Sequence, residues 1–290
     1  MSTAAIAEAE SLIEQAEKKL KGGVLSSLFG GNKFEEAEEL YTKAANQFKL
    51  GKKWKEAGDA FMQAADMQTR MNERDEAATR FVDAANCYRK VNPTEAIDAY
   101  TRAISIMTER GRFQTAAKHQ KTIAEIYESD VVDLEKAMAA YELAAEWFQA
   151  EEASALAGGC LLKVATFAGQ LEQYPKAIEL FEKLAASSMD NNLTKWSVKD
   201  YFLKAGLCHM AAEDQVGARQ AIDRYSDLDV TFATQRECIF LKSLLEALEQ
   251  GDVDTFTAHI VEFDRLTKLD PWKTAVLLKV KKGMEEQTFN

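Results

Sequence analysis

The hydrophobic positions of this chain repeat about every twenty residues. In "EEAEELY", "KEAGDAF" and "DEAATRF" an alanine is followed four residues later by an aromatic side chain, and a second alanine often follows three positions on. Spacings of four and seven residues place side chains on one face of a helix. The pairs are Ala37 and Tyr41, Ala57 and Phe61, Ala77 and Phe81, Ala96 and Tyr100, Ala137 and Tyr141, and Ala177 and Phe181, and the second alanines are Ala44, Ala64, Ala84, Ala103 and Ala144. The pattern predicts a series of amphipathic helices.

Turn signals separate these helices. "KLGKKW", "RMNERD", "KVNP", "ERGRF" and "GQLEQYP" place glycine, asparagine or proline among charged residues. One helix and one turn make a unit, so two units make a hairpin of about forty residues. A tandem series of hairpins predicts a twisted sheet of helices with a concave and a convex face. The pattern resembles the tetratricopeptide repeat, whose period is about 34 residues, and the helices here are expected to be longer.

The repeat becomes less regular near residue 190. "ATQRECIFLKSLLEALEQ" and "DVDTFTAHIVEFDRL" remain amphipathic, and "LDPWKTAVLLKV" opens with Asp270 as an N-cap and Pro271 at the first helical position. The sequence therefore predicts an all-α chain in three parts. These are a tetratricopeptide-like stack of helical hairpins over residues 1–190, a closing C-terminal helical bundle over 191–285, and a mobile tail over 286–290.

The composition of the chain argues against several classes of protein function. A net charge of -11 over 290 residues argues against nucleic-acid binding by the chain as a whole, although it leaves room for a local basic face. Glutamates interrupt the N-terminal segment where a signal peptide needs an apolar core, and no run of about 18 apolar residues follows. The widely spaced cysteines indicate reduced core residues and a cytoplasmic protein. They are Cys87, Cys160, Cys208 and Cys238.

Catalytic motifs are missing from the sequence. It contains no G-x-x-x-x-G-K-[ST], and His119, His209 and His259 are too scattered for a zinc site. We therefore expect a binding protein with no cofactor, no metal and no small-molecule substrate. One alternative is a co-chaperone-type scaffold that holds a peptide's terminal carboxylate, against which the period and helix length argue. A second is a helical enzyme or regulatory subunit, which no constellation of residues supports.

Several motifs in order identify a family resemblance. "GRFQTAAKHQKTIAEIYE", "VDLEKAMAAYELAAEWF", "CLLKVA", "AGQLEQYPKAIELFE", "KDYFLKAGLCH" and "LDPWKT" together closely resemble the α-SNAP (soluble NSF attachment protein) family, from about residue 5 to residue 285. The resemblance implies an adaptor for SNARE disassembly in vesicle fusion and membrane trafficking. Several copies wrap a SNARE four-helix bundle with their concave faces, and their C-terminal domains recruit and stimulate the NSF hexamer, which hydrolyses the ATP.

The resemblance also implies which residues make contact. SNARE bundles are acidic, so the contact face of an acidic adaptor needs basic side chains. The matching SNARE-binding positions are Arg89, Lys90, Arg112, Lys118, Lys163, Lys199 and Arg236. Gly159 stands where relatives carry a basic residue, so the set is incomplete. Taken singly, each of these side chains could equally be a solvated helix position.

Acidic residues near the C-terminus match the positions that face NSF. They are Glu213, Glu246, Glu249, Glu285 and Glu286, with Phe289 in the penultimate place of a tail that lacks the family's terminal leucine. Glu285, Glu286 and Phe289 are expected to reproduce an acidic and apolar tail. The alternative for Phe289 is a frayed terminal residue with no role.

The segment "GGVLSSLFGGNK" carries Val24, Leu25, Leu28 and Phe29 between two glycine pairs, with lysines on both sides. The resemblance implies that this loop dips into the bilayer, so we expect a peripherally membrane-associated protein. Lysines assist such contact where the lipid is anionic. The alternative is that Leu28 and Phe29 fold back on the first repeat as a hydrophobic cap.

Overall fold

The computed structural model describes residues 2–21 and 32–288, and every regular element in these ranges is helical. The prediction of an all-α chain is confirmed. The helices are α1 (Ser2–Lys21), α2 (Asn32–Leu50), α3 (Trp54–Arg70), α4 (Arg74–Tyr88), α5 (Pro93–Glu109), α6 (Phe113–Ile126), α7 (Leu134–Ala150), α8 (Ser154–Gln170), α9 (Tyr174–Met189), α10 (Val198–Ala211), α11 (Gln215–Leu228), α12 (Arg236–Glu249), α13 (Val253–Leu266) and α14 (Pro271–Thr288). A π-helical turn covers Tyr127–Val131, and short 3₁₀ turns cover Lys195–Ser197 and Phe232–Thr234.

The contacts divide the chain into two compact units, residues 1–157 and residues 158–290. The boundary expected near residue 190 lies instead inside the second unit, because α9 packs closely against α10. The alanine and aromatic repeat therefore continues into the second unit through α9. A change in the regularity of the sequence did not mark a change in packing.

The first unit packs each helix against the next along the chain. Every alanine and aromatic residue of the predicted repeat is buried. The close packing that small residues allow is visible at Gly58, where an added Cβ would lie 2.5 Å from the Tyr88 ring. Helix α6 keeps buried alanines at Ala116 and Ala117 but lacks the aromatic partner, which is why the sequence pattern skips that unit.

Several of the turns between the described helices share one backbone geometry. After α2, the amide of Lys52 bonds to the Lys49 carbonyl and the amide of Lys53 to the Phe48 carbonyl, at 3.0 and 2.9 Å, which is the closure of a Schellman motif. The motif requires one residue in the left-handed region, which favours glycine. The residues with positive φ in such turns are Lys52, Asn72, Gly111, Glu152, Glu172, Glu213 and Gly251. Most are not glycine, although the segments that contain Lys52, Asn72, Gly111 and Glu172 were recognised as turns from the sequence.

The second unit is built around α10, which packs against α9, α11, α12 and α14. Its core is aromatic, because Phe202 stacks on Tyr225 at 4.3 Å between ring centroids and meets Phe232 edge-on at 5.2 Å. All four cysteines of the chain are buried and none forms a disulfide, as their apolar surroundings predicted. None of the described helices is both long and apolar enough to cross a bilayer.

Helix α14 begins as the sequence predicts. Asp270 accepts the amide of Lys273 at 2.8 Å and Pro271 occupies the first helical position. The indole of Trp272 is buried, and its Nε1 donates to the carbonyl of Thr166 in α8 at 2.8 Å. The helix continues to Thr288, so residues 286–288 of the expected mobile tail are helical, and residues 289–290 lie outside the described residues.

Candidate protein-binding surfaces

Three of the predicted basic residues of the first unit lie near the two ends of α4. Arg89 caps the C-terminal end, with Nε 3.3 Å from Asp130, and Lys90 lies over the Trp54 ring at 4.3 Å. Arg112 caps the start of α6 and pairs with Asp75 at the start of α4, at 3.1 Å. The hydrogen bond from Arg112 lowers the pKa of the Asp75 carboxyl. A helix of this length spans about 22 Å, so Arg112 is well separated from Arg89 and Lys90.

Lys118 lies on α6 and is exposed. Within the parts of the chain that the structure describes, its ammonium forms no ion pair or hydrogen bond. The charge of Lys118 is therefore available to a partner, whereas those of Arg89 and Arg112 are partly neutralised by internal carboxylates.

Two predicted basic residues of the second unit come together. Lys199 stands at the start of α10 and bonds to the carboxylate of Glu237 at 2.9 Å, and Glu237 is the second residue of α12. Arg236 precedes it, is exposed, and forms no ion pair among the described residues. Lys199 and Arg236 therefore both lie at the N-terminal ends of their helices, where the Lys199–Glu237 pair joins α10 to α12. Lys163 lies on α8, exposed and 5.8 Å from the Phe167 ring.

The predicted acidic residues gather at the opposite ends of the same helices. Glu213 follows α10 and shares a pocket with Leu248 at the end of α12 and with Glu286 at the end of α14. Glu246 and Glu249 lie in the last turns of α12, and Glu249 bonds to the Arg219 guanidinium, with Nε at 3.2 Å. Glu285 lies 3.9 Å from the ammonium of Lys281 on its own helix.

These positions show that α10, α12 and α14 run in the same direction. At their starting ends Lys199 meets Glu237, and Lys273 of α14 lies 2.5 Å from Asp200 of α10. At their finishing ends Glu213 and Glu286 line the shared pocket. Because α10 has 14 residues, the two ends are about 21 Å apart. We call the end that carries Lys199 and Arg236 the basic end, and the end that carries Glu213, Glu246, Glu249, Glu285 and Glu286 the acidic end, after these predicted contact residues.

A half-buried charge cluster fixes the start of α14. Asp200 accepts from Lys204 at 3.0 Å as well as from Lys273, and Lys273 also bonds to Asp270 at 3.0 Å. Burial alone would lower the pKa of Lys273, but the hydrogen bonds to Asp200 and Asp270 outweigh it and the pKa is raised. The direction of α14, and with it the location of its acidic end, is held by these bonds and by Trp272.

Comparison with known proteins settles the family. A family model described as "Soluble NSF attachment protein, SNAP" matches residues 7–285. The chain belongs to this family. A SNAP-family relative, the beta-soluble NSF attachment protein of Bos taurus, is 49% identical over 281 residues, which cover 96% of this chain and 94% of the relative.

Relatives from other organisms match the chain over the same extent. The alpha-soluble NSF attachment protein of Dictyostelium discoideum is 49% identical over 97% of both chains. The probable vesicular-fusion protein sec17 homolog of Schizosaccharomyces pombe is 42% identical over 97% of this chain and 98% of the relative. The resemblance inferred from the sequence motifs is confirmed at the level of the family.

Two exposed apolar side chains near the basic end of this SNAP-family chain were missed from the sequence. Leu193 and Trp196 lie in the connection between α9 and α10 and are 89% and 74% exposed. Trp196 lines a pocket together with Lys195 and Lys199. The available signal was the segment "DNNLTKWS", which places large apolar residues among turn-forming ones.

Some predicted site residues lie outside the described residues. They are Val24, Leu25, Leu28 and Phe29 of the expected membrane loop and Phe289 of the tail. The preceding helix α1 ends in Lys18, Lys19 and Lys21, and α2 begins at Asn32. Among the described residues, no cluster of three or more His, Cys, Asp or Glu side chains could hold a metal ion.

Proposed function

We propose that this chain is an adaptor that binds a SNARE four-helix bundle through basic residues and attaches the ATPase NSF to it in vesicle fusion. Its relatives are named for NSF attachment and for vesicular fusion. The observation that supports the proposal is the placement of the candidate residues in the second unit, where Lys199 and Arg236 stand at the starts of α10 and α12 while Glu213, Glu246 and Glu286 lie at the opposite ends of α10, α12 and α14. An adaptor needs two surfaces of this kind, because it holds two partners at once.

The basic end fits the surface of an acidic helical bundle. Lys199 and Arg236 supply positive charge, and the exposed side chains of Leu193 and Trp196 supply apolar contact beside it. Tryptophan and arginine are over-represented among the residues that dominate binding energy at interfaces. In the first unit, Lys118 and Arg112 extend the set of cations offered to the bundle.

The acidic end fits a basic partner surface. Glu213 and Glu246 belong to no ion pair among the described residues, so their charges are available to NSF. Complementary charge contributes mainly to specificity and association rate. Both contacts should weaken with salt, because exposed charges are screened beyond a Debye length of about 8 Å at physiological ionic strength.

Charge reversal at each surface tests the proposal. Lys118→Glu combined with Arg236→Glu breaks no internal ion pair, and we expect it to abolish capture of a purified SNARE bundle. Glu213→Lys combined with Glu246→Lys should leave SNARE capture intact and abolish recruitment of NSF to the captured complex. Helical content, measured by circular dichroism, should be unchanged in both.

Lys183→Glu is the matched control for charge reversal. Lys183 is an exposed lysine of α9 without an ion pair among the described residues, and it belongs to neither predicted surface. The control should bind both partners normally. SNARE and NSF binding that survive both double reversals would contradict the proposed function.

We also propose that residues 22–31 contact the bilayer and make the protein peripherally membrane-associated. The support is the sequence itself, in which four large apolar residues lie between glycine pairs and close to three lysines at the end of α1. A fully buried side chain of this kind contributes about 1.5–3 kcal/mol, and shallow insertion gains only a fraction of that. Membrane contact by one copy is therefore weak and becomes effective when several copies share one SNARE bundle.

A further inference from the structure

A groove of about 410 Å³ lies between α11 and α12 at the acidic end of the second unit. The buried side chains of Ile222 and Leu245 line it, and charged side chains stand around them. The charged residues are Arg219 and Asp223 of α11 and Lys242, Glu246 and Glu249 of α12. Three carboxylates and two cations give the groove a net charge of -1.

The guanidinium of Arg219 holds both oxygens of the Glu249 carboxylate. Its Nε donates to Oε1 at 3.2 Å, and one of its terminal nitrogens donates to Oε2. The planar guanidinium presents paired donors that match the two oxygens of a carboxylate, which is a geometry that lysine cannot reproduce. The groove is therefore shaped to receive a guanidinium.

Other carboxylates of the groove favour a cation at the same point. The hydrogen bond to Glu249 and then the charge of that residue raise the pKa of Arg219, and the charges of Asp223 and Glu246 act in the same direction. The pair stands at the surface, since the side chains of Arg219 and Glu249 are 60% and 30% exposed. A partner can therefore reach the carboxylate that Arg219 holds.

The pair neutralises one of the residues predicted to face NSF. Glu246 accepts from the side-chain amide of Gln250 at 3.4 Å and forms no ion pair among the described residues, whereas Glu249 is already bound to a cation. A basic partner must either leave Glu249 aside or take the place of Arg219. Exchange is easy, because an exposed ion pair contributes little to stability.

We propose that Arg219 occupies, in the free chain, a guanidinium site that an arginine of NSF takes on attachment. Arg219 acts through Glu249, so it is a positioning residue: it lowers the affinity for basic surfaces in general and favours a partner whose forked donors replace its own. The identity of the partner rests on the proposed function. The displacement of Arg219 can be tested on the chain without NSF.

Recruitment of NSF to SNARE-bound adaptor measures the competition. Arg219→Gln removes the internal cation and keeps a side chain of good helix propensity. Because the pair that is lost is weak, we expect recruitment to become tighter by about two- to fivefold. The melting temperature should be unchanged or slightly lower, so a more stable fold cannot explain the gain. Arg219→Lys keeps a cation beside Glu249 and should remain close to the wild type. In a Glu249→Gln background, Arg219→Gln should bring no gain.

Two control variants separate this competition from a change in net charge. Lys242→Gln removes a cation from the same groove, but Lys242 is exposed and forms no ion pair among the described residues, so its loss frees no carboxylate. It should tighten recruitment less than Arg219→Gln does. Arg224→Gln breaks a similar exposed pair, because Arg224 of α11 bonds to Glu182 of α9 at 2.5 Å. This pair belongs to neither predicted surface, so recruitment should be unchanged.

Nuclear magnetic resonance of the full chain tests the displacement directly. A hexa-arginine peptide is the basic probe, and the Nε–H signal of Arg219 is the readout. Saturating peptide should move this signal to the position that it has in Glu249→Gln. The Nε–H of Arg80, which donates to the buried Glu38 at 2.8 Å, is an internal control and should not move. A hexa-citrulline peptide, which has a similar shape and no charge, should leave both signals unchanged.

Each measurement can contradict the proposal. Recruitment by Arg219→Gln that is equal to or weaker than that of the wild type would overturn it, and so would an equal gain in Lys242→Gln. An Arg219 signal that hexa-arginine leaves in place would show that the internal pair is not displaced. If the wild type recruits no NSF, the proposed function fails, and the peptide titration still decides whether Arg219 gives up its site to another guanidinium.

Discussion

Replacing Gly169 with alanine tests how tightly α14 is packed against α8. An alanine Cβ at this position would lie 2.6 Å from Cζ2 and 3.1 Å from Cε2 of the Trp272 indole. The ring cannot withdraw freely, because its Nε1 bonds to the Thr166 carbonyl at 2.8 Å. Overpacking of this kind costs about 1–3 kcal/mol.

Gly159, a second glycine of α8, provides the reference against which the cost of overpacking at Gly169 is measured. Replacing glycine by alanine within a helix stabilises it by about 0.8–1 kcal/mol, and both positions gain this term. A Cβ at Gly159 would meet no atom within 4 Å. The free energy of unfolding of Gly159→Ala should therefore rise, and that of Gly169→Ala should be lower than it by about 1–3 kcal/mol, which is the overpacking term alone.

The comparison is measured by urea unfolding followed by circular dichroism, with the melting temperature as a second readout. Removing the Trp272 ring should reverse the sign of the effect that Gly169→Ala has on stability. In a Trp272→Ala background, which itself costs about 3–5 kcal/mol, Gly169→Ala should become stabilising. Trp196→Ala is the control for loss of an exposed indole and should change stability by no more than about 0.5 kcal/mol. Equal effects of Gly159→Ala and Gly169→Ala on the free energy of unfolding would refute the packing described here. A destabilisation by Gly169→Ala that persists in the Trp272→Ala background would refute it as well.

Three further outcomes are expected. Leu28→Ser with Phe29→Ser should slow disassembly of full-length SNAREs in liposomes and spare truncated soluble bundles, whereas a capping role predicts a lower melting temperature and equal loss on both. Deleting residues 285–290 should preserve SNARE binding and reduce stimulation of the NSF ATPase. If the deletion reduces stimulation but Phe289→Ala alone does not, the acidic pair is responsible for the effect. An ATPase rate that is unchanged after the deletion excludes a stimulating role for the tail. Hydrogen bonds from the Thr255 hydroxyl and amide lower the pKa of Asp252, so its contribution to stability is complete above the unfolded value of about 3.9 and is lost as the pH falls through the folded value. Asp252→Ala should accordingly lower the melting temperature at pH 7 and lower it less near pH 2. A decrease that is the same at both pH values would contradict a stabilising role for the ionised Asp252 carboxylate.

The helical repeat could be predicted because its chemistry is local. A buried alanine and an aromatic residue four positions later define a helix face without reference to any other part of the chain. The start of α14 was equally accessible, since Asp270 and Pro271 act within one turn. The end of that helix was not, because "EEQTFN" has no periodic pattern and its helical conformation as far as Thr288 continues from residues further back.

The surfaces could be predicted only residue by residue. The family resemblance identified Lys199 and Glu213 as candidates, but it could not show that they lie at opposite ends of parallel helices. It also could not show that Glu237 partly neutralises Lys199, since that pair joins residues 38 positions apart.

The acidic end of the second unit has a consequence for helix dipoles. The C-terminal end of a helix carries partial negative charge, and each carboxylate placed there costs about 0.3–1 kcal/mol. Glu246 and Glu249 lie in the last turns of α12, Glu285 and Glu286 in those of α14, and neither helix has a basic residue in its last turn. Selection for stability alone would replace these residues with lysine. We therefore expect Glu246→Lys to raise the melting temperature of the isolated chain while it weakens attachment of NSF. Variants of this adaptor selected for thermal stability alone would then bind NSF less well.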